Sequence, residues 1–447
     1  MGELRRLLVA CASAACVALA STGCDEDEEP LRVGVLTECI GSAEASEESI
    51  LAAAQLPFIE RGARTRAGGP TEGLEDASAG GGPVEMLVGC TNAGSEPPRQ
   101  ILEVRRLIED EGADVIIGPV GEPEGVLARR MAARYPDVTF VLGASSAQEA
   151  TLSDPQPNLF RFVADGAQST AGLAAYAYHD LGWRRAGLAT DPLPASWEAA
   201  AGFVAEFCAL GGRVVGREQL FAQLEPDAGA RDRAIGARFS RQVDGTLLIG
   251  VAISTADFLH GYARRAEPLR RRLVLNGYGF VQPGGLSPDG IDLSGVVLGN
   301  DVPLDSERPQ WRRYTRAYAR AFPQLPPESA HGLLEFPVYM GAEALARALE
   351  RVDGEIGARG GRLRAALAEV AFDGPAGPVR LDRNRQAIVS VHLRRIVGNG
   401  ERARTVPFRV VREVDQSFGG AFNTSTPPPS FESPRCRRGP VPDWAAN

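Results

Sequence analysis

Apolar residues along the chain alternate between two rhythms. Leu31-Arg-Val-Gly-Val-Leu-Thr37 is a short apolar run of strand length, and Ser46 to Arg61 follows with Ile50, Leu51, Ala54 and Phe58 at helical spacing. The alternation continues through strand Val84 to Gly89, helix Glu96 to Gly112, strand Asp114 to Pro119, helix Glu122 to Tyr135 and strand Thr139 to Ala144. Strands of this kind separated by helices are read as parallel, because parallel neighbours need crossovers and the crossovers cover both faces. Gly62 to Pro83, rich in Gly, Pro and Ser, reads as a surface loop with no phosphate cradle. After Asn158 to Ala164 the series restarts with helix Gln168 to Leu181, strand Arg184 to Thr190, helix Trp197 to Leu210 and strand Arg213 to Glu218. It runs on through helices Ala228 to Arg241 and Ala256 to Ala266, and strands Gly245 to Val251, Arg272 to Gly277 and Gly295 to Asn300. Helical patterns return at Gln310 to Phe322, His331 to Arg351 and Gly360 to Ala371. The β-rich runs Pro378 to Leu381, Ala387 to Val397 and Val406 to Val414 then give way to a Pro- and Ser-bearing tail. The predicted fold class is α/β, with two Rossmann-like doubly wound lobes.

Composition agrees with two lobes and narrows the chemistry. A chain of 447 residues with 44% hydrophobic and 23% charged residues is too long for one ordinary core and too apolar for disorder. A net charge of -9 argues against a nucleic-acid binder. All 48 basic residues are arginine, which excludes a Schiff-base, pyridoxal-phosphate or Walker-type lysine. There is no G-x-S-x-G elbow, no C-x-x-C or H-x-x-x-H spacing, and His179, His260, His331 and His392 are scattered. An enzyme is therefore disfavoured, and no catalytic residue, metal or cofactor is assigned.

The N-terminus reads as an address. Arg5 and Arg6 precede the apolar run Leu7 to Ala20, too short to span a membrane and laid out as an export signal. Its end, Ala20-Ser21-Thr22-Gly23-Cys24, resembles the lipobox of bacterial lipoproteins, with Ser21 in place of the usual aliphatic residue. That resemblance implies cleavage after residue 23 and a lipid on Cys24; the alternative is an ordinary secretory peptide cut nearby. Residues 24–30 form an acidic tether, and no later stretch is long and apolar enough to span. An exported body leaves Cys39, Cys90, Cys208 and Cys436, for which three pairings exist. Cys39 and Cys90 each follow a strand closely, which favours Cys39–Cys90 and leaves Cys208–Cys436 to pin the tail, itself short of apolar content for docking.

The runs Leu31 to Thr37, Asp114-Val-Ile-Ile-Gly-Pro119, Val141-Leu-Gly-Ala-Ser-Ser-Ala-Gln148, Asn158-Leu-Phe-Arg161 and Phe372-Asp-Gly-Pro-Ala-Gly-Pro-Val-Arg-Leu-Asp382, in that order, resemble the type I periplasmic solute-binding proteins. More narrowly they resemble the branched-chain amino acid (Leu/Ile/Val) binding branch of ABC transporter receptors. The resemblance covers about residues 31 to 397 and implies two lobes, joined by three crossover strands, that close on a ligand. Carried onto this chain it implies lobe one at 31–162 and 301–380, lobe two at 163–300 and 383–415, and a C-terminal tail at 416–447.

In open α/β sheets the loops after the strands form the binding crevice, and helix N-termini there attract anions. Glu38 to Ser42, Gly118 to Glu122 and Ala144 to Ala147 are the loops in question on lobe one. Ser145 and Ser146 offer donors to a ligand carboxylate, or alternatively cap the following helix. On lobe two, Asp165 follows the first crossover, while Trp197 and Tyr278 supply apolar walls. The branch carries a small hydroxyl residue where Glu122 aligns and an acid near Tyr278, so either the charge preference is inverted here or the ligand is not an amino acid; alternatively Glu122 is a solvated first-turn acid. The expected role is a monomeric, lipid-anchored receptor delivering a small polar ligand to an ABC permease. The alternative is an envelope sensor of the same fold acting on a partner protein.

Overall fold

A computed structural model describes residues 29–39, 46–92, 98–221, 228–250, 252–266, 268–280, 285–304 and 306–446. The strands form two large sheets. In the first, Gly82–Thr91, Leu31–Glu38, Val115–Ile117, Thr139–Val141 and Leu159–Phe160 lie side by side, each pair parallel. In the second, Arg213–Gln219, Arg185–Thr190, Gly245–Ile249, Leu273–Asn276 and Val297–Asn300 are likewise parallel, and Ala387–Val397 adds antiparallel to the last of them. Every residue of Gly245–Ile249 and Leu273–Asn276 is buried, as expected of strands with helices on both faces. The α/β class with two doubly wound lobes is thus the architecture found.

Helices fix the lobe cores by what they bury. Glu47–Ile59 and Glu335–Arg351 pack together over the first sheet and bring Ile50, Leu56, Phe58, Val338 and Leu345 into one core. Each such side chain stabilises the fold by about 1.5–3 kcal/mol through its removal from water. Pro309–Ala321 buries Trp311, Tyr314, Ala317 and Tyr318 and leaves Arg312, Arg313 and Arg316 exposed.

Three sequence expectations change. Gln168 to Leu181 is not one helix: it breaks into Gln168–Thr170, Leu173–Ala175 and a wider π-type turn Tyr176–Asp180. The break is at Gly172, which has φ +82° and lies so close to the Arg404–Val414 strand that a Cβ would come within 2.4 Å of Val411. Gly62 to Pro83 folds as more than a loop. Arg64–Thr65 pairs with Leu74–Glu75, Ser78–Ala79 pairs with the start of the Gly82 strand, and Gln55 Nε2 donates to Pro70 O at 2.6 Å. The tail contributes apolar side chains of its own, with Phe418 and Phe422 buried and Trp444 against Phe418 at a ring separation of 5.2 Å.

Three crossings join the sheets: after Leu159–Phe160, after Val297–Asn300, and from helix Gly361–Ala368, packed in the first core, into Phe372–Gly374, Gly377–Leu381 and Ala387–Val397 of the second sheet. A buried amide network ties them. Gln168 Nε2 donates to Ala387 O and Val414 O at 2.9 and 2.8 Å. Gln386 Nε2 donates to Val163 O at 2.7 Å and to Gln168 Oε1 at 2.9 Å. Both glutamines are fully buried, so each unmade bond would carry a desolvation cost of about 1–3 kcal/mol.

Candidate functional site

Both sheets turn the C-terminal ends of their parallel strands toward the crossings, so the crevice lies between them. Polar residues end these strands: Thr37 and Glu38, Thr91, Thr190, Asn276 and Asn300, all buried. Thr91 Oγ1 donates to Glu38 Oε1 at 2.8 Å, and Asn276 Nδ2 to Ser169 Oγ at 3.2 Å. Asp301 accepts from Ala164 N–H at 3.1 Å, and burial, together with the charge of Asp165, pushes its carboxyl up to about 6. Among the buried polar atoms that no protein group satisfies, Thr37 Oγ1, Thr190 Oγ1, both polar atoms of Asn300 and Gln148 Nε2 lie on this edge. The segments 40–45, 93–97, 222–227 and 281–284, which follow strands here, are outside the described residues, as are the side chains of Glu122 and Tyr278. Cys24 is outside them too.

Ser145 is buried beside Gly125, where a Cβ would come within 2.1 Å of its Oγ, and that Oγ accepts from Ala147 N–H at 3.4 Å. This is a local turn and not a helix cap, because the helix Glu149–Leu152 has Gln148 at its N-cap and no side-chain cap bond. Ser146 is half-buried, and its carbonyl accepts from Gly166 N–H at 2.8 Å, linking the first lobe to a crossing. Asp165 is fully buried at the crossing. It and Gln168 bond reciprocally: Gln168 N–H donates to Asp165 Oδ1 at 2.8 Å and Asp165 N–H to Gln168 Oε1 at 2.9 Å. Gln416 Nε2 takes the other carboxylate oxygen at 3.0 Å, and burial raises the Asp165 pKa against the opposing charge of Arg161.

Trp197 faces a small cavity with Leu188, Thr190, Arg217 and the tail residues Ser430 and Phe431, and its indole N–H has no protein partner. The structure therefore brings Ser145, Ser146 and Asp165 together around the crossing and places Trp197 under the tail.

Sequence reasoning missed the contact that spans the crevice. Glu198, buried on helix Pro194–Ala209, accepts at Oε2 from Gln148 N–H at 3.2 Å. The available signal was a lone acid in the otherwise small and apolar run Ala199-Ala-Ala-Gly-Phe203. Cys39 pairs with Cys90 and Cys208 with Cys436, with Cα separations of 5.4 and 5.5 Å. The first pair sits at the ends of adjacent parallel strands, where Thr37 is level with Cys90.

With this geometry in place, the comparison with known families is decisive: a model described as periplasmic binding protein matches residues 30–401. The chain belongs to the periplasmic binding protein family. Such proteins are extracytoplasmic substrate-binding components, and among the described residues no helix is long and apolar enough to cross a membrane. One similar member of known structure is an ABC transporter substrate-binding protein from Sphaerobacter thermophilus, 25% identical over 87% of this chain and 99% of that one, with a TM-score of 0.73. A solute-binding protein from R. palustris in complex with benzoate is 20% identical over 87% and 98%, TM-score 0.66. A leucine-binding protein from Thermotoga maritima is 18% identical over 86% and 99%, TM-score 0.65. No curated protein matches the sequence. Binders of an aromatic acid and of an amino acid are about equally similar, so the Leu/Ile/Val branch is not singled out.

Proposed function

We propose that this periplasmic binding protein captures a small carboxylate between its lobes and delivers it to an ABC importer, held at the membrane by a lipid on Cys24. The lobes are taken as 31–162 with 301–380 and 163–300 with 383–415, and the working unit as a monomer. The observation that carries the reading is the set of buried polar atoms at the strand ends, Thr37, Thr190, Asn300 and Gln148, that lack protein partners. Buried donors and acceptors are costly when unmade, so they call for a polar guest or ordered water. Leucine and benzoate, bound by similar proteins, share only a carboxylate and an apolar body. Ser145 and Ser146, at a strand-to-helix junction, are assigned to the carboxylate, Tyr278 to the apolar body, and Glu122 to charge preference, while Trp197, covered by the tail, is given no part in the site. Asp165, with both carboxylate oxygens bonded within the protein, is assigned to the hinge.

Thermal-shift titration with leucine, benzoate and their neutral amides tests this, since a ligand of the native state raises the melting temperature. The carboxylates should stabilise and the amides should not. Ser146→Ala should weaken binding by about 1–3 kcal/mol if a buried acceptor loses its partner. Amides that match the acids, with Ser146→Ala indistinguishable from the native chain, would show that the carboxylate has been placed wrongly.

A further inference from the structure

The starts of the second-sheet strands lie at the opposite end from the crevice, and they carry arginine after arginine. In spatial order across the sheet, Arg213 and Arg185 open the first two strands and are paired in register. Arg241 precedes the Gly245 strand, Arg270 and Arg271 precede the Leu273 strand, and Arg404 opens the outer strand beside Ala387–Val397. The Gly295 N–H bond to Ile396 O at 2.8 Å brings the Arg404 hairpin to this same end. All six guanidinium side chains are exposed, and among the described residues none has an ion-pair partner. With seven strands about 4.8 Å apart, the row is roughly 30 Å long. The acids at this end are few. Asp244 accepts at Oδ2 from the N–H groups of Arg184 and Arg185, both at 2.8 Å, Asp292 accepts from Ser294 N–H at 2.9 Å, and Glu401 is exposed.

We infer that this arginine-lined end of the second lobe is a docking surface for the phosphate headgroups of an anionic lipid bilayer. The guanidinium fork suits phosphate oxygens, and a row about 30 Å long matches a repeating surface of headgroups better than one ligand. The segments that carry it contribute two exposed large apolar side chains, Val215 and Val410, too little for the apolar centre of a specific protein interface. The net charge of -9 does not oppose docking, because at 0.1 M salt charges beyond about 10 Å are screened and only the local row is felt. The inference rests on the extracytoplasmic placement of the family and needs neither the lipid on Cys24 nor any particular ligand.

The test uses the body from Glu29 onward, which holds every described element and no lipid. It is mixed with vesicles of 70% phosphatidylcholine and 30% phosphatidylglycerol, and with pure phosphatidylcholine, at low salt. Binding should be seen only with the anionic vesicles and should be lost at high salt. The triple change Arg241→Glu, Arg270→Glu, Arg271→Glu should lower the partition coefficient at least about a hundredfold, at roughly 1 kcal/mol for each basic residue removed. Arg312→Glu with Arg313→Glu and Arg316→Glu, on the other lobe, should leave it within about twofold. Should the Glu triple melt early, the Gln triple serves in its place. No binding to anionic vesicles, equal loss with both triples, or binding to an acidic polypeptide but not to vesicles would each overturn the inference.

Discussion

Glu206 is fully buried on helix Pro194–Ala209, where its carboxylate accepts from Gly172 N–H at 2.8 Å, Ala175 N–H at 2.6 Å and Trp444 Nε1–H at 3.3 Å. Burial outweighs these donors and pushes its carboxyl from 4.5 up to about 7. A raised acid keeps its proton longer in the folded chain than in the unfolded one. The stability it contributes is therefore complete below pH 4.5 and is lost as pH rises to 7, by about 3 kcal/mol. Asp301, raised from 3.8 to about 6, acts in the same direction between those values. His392 opposes them. Burial lowers it from 6.5 to about 4 even though it donates to Ala376 O at 2.7 Å, so its contribution is complete above pH 6.5 and falls away as pH drops toward 4. Among these three groups, the two acids outweigh the histidine as pH rises from 5 to 6, and above 6.5 the largest remaining change comes from Glu206. Glu206→Gln should flatten the fall in melting temperature between pH 6.5 and 7.5. A profile as steep as that of the native chain would place the titrating group elsewhere. None of these side chains was legible as special in the sequence, because burial sets each shift and the sequence pattern marks them only as single polar residues in apolar runs.

The tail is the element where sequence and structure teach most about each other. Its starting point, Gln416, donates to Thr151 Oγ1 at 2.8 Å and Asp165 Oδ2 at 3.0 Å inside the crossing network. Its far end is fixed to the second lobe by Cys436–Cys208, by Arg217 donating to Phe431 O at 2.9 Å and to Pro434 O, and by His179 Nε2 at 3.1 Å from Ala445 O. Cys436→Ser should cost about 2–4 kcal/mol, since the bond closes residues 228 apart in sequence. Limited proteolysis should then cut within the tail before the lobes, and a tail as resistant as before would show that its noncovalent contacts suffice. Strand and helix periods were readable wherever one face or both were buried, as in Leu31–Glu38 and Gly245–Ile249. They misled where tertiary contact overrides local pattern. The apolar spacing of Gln168 to Leu181 is helical, yet Gly172 must take a left-handed turn to pass Val411. Ser145 and Ser146 could be located from their place after a strand, whereas Trp197 was read as a crevice wall because nothing in its own segment foretells a tail laid over it.

At the scale of the molecule, function depends on whether the crossings allow the lobes to move. The crossing residues Asp165, Gln168 and Gln386 are fully buried and bonded to one another or to backbone, so this region has one preferred geometry about which rotation can occur. The crevice is bridged near the hinge by Glu198 accepting from Gln148 N–H, and that bond can strengthen or break as the lobes turn. A ligand touching both sheet edges favours the closed state by its differential contacts, and by nothing else. Small-angle scattering should therefore show a smaller radius of gyration on saturation with a ligand that passes the thermal-shift test. Glu198→Ala leaves the Gln148 amide unmatched and should shift the ligand-free protein toward wider openings, while the saturated form stays as compact as the native one. If neither the native chain nor the variant contracts at saturation, binding does not draw the lobes together, and the molecule would have to report its ligand through a fixed surface.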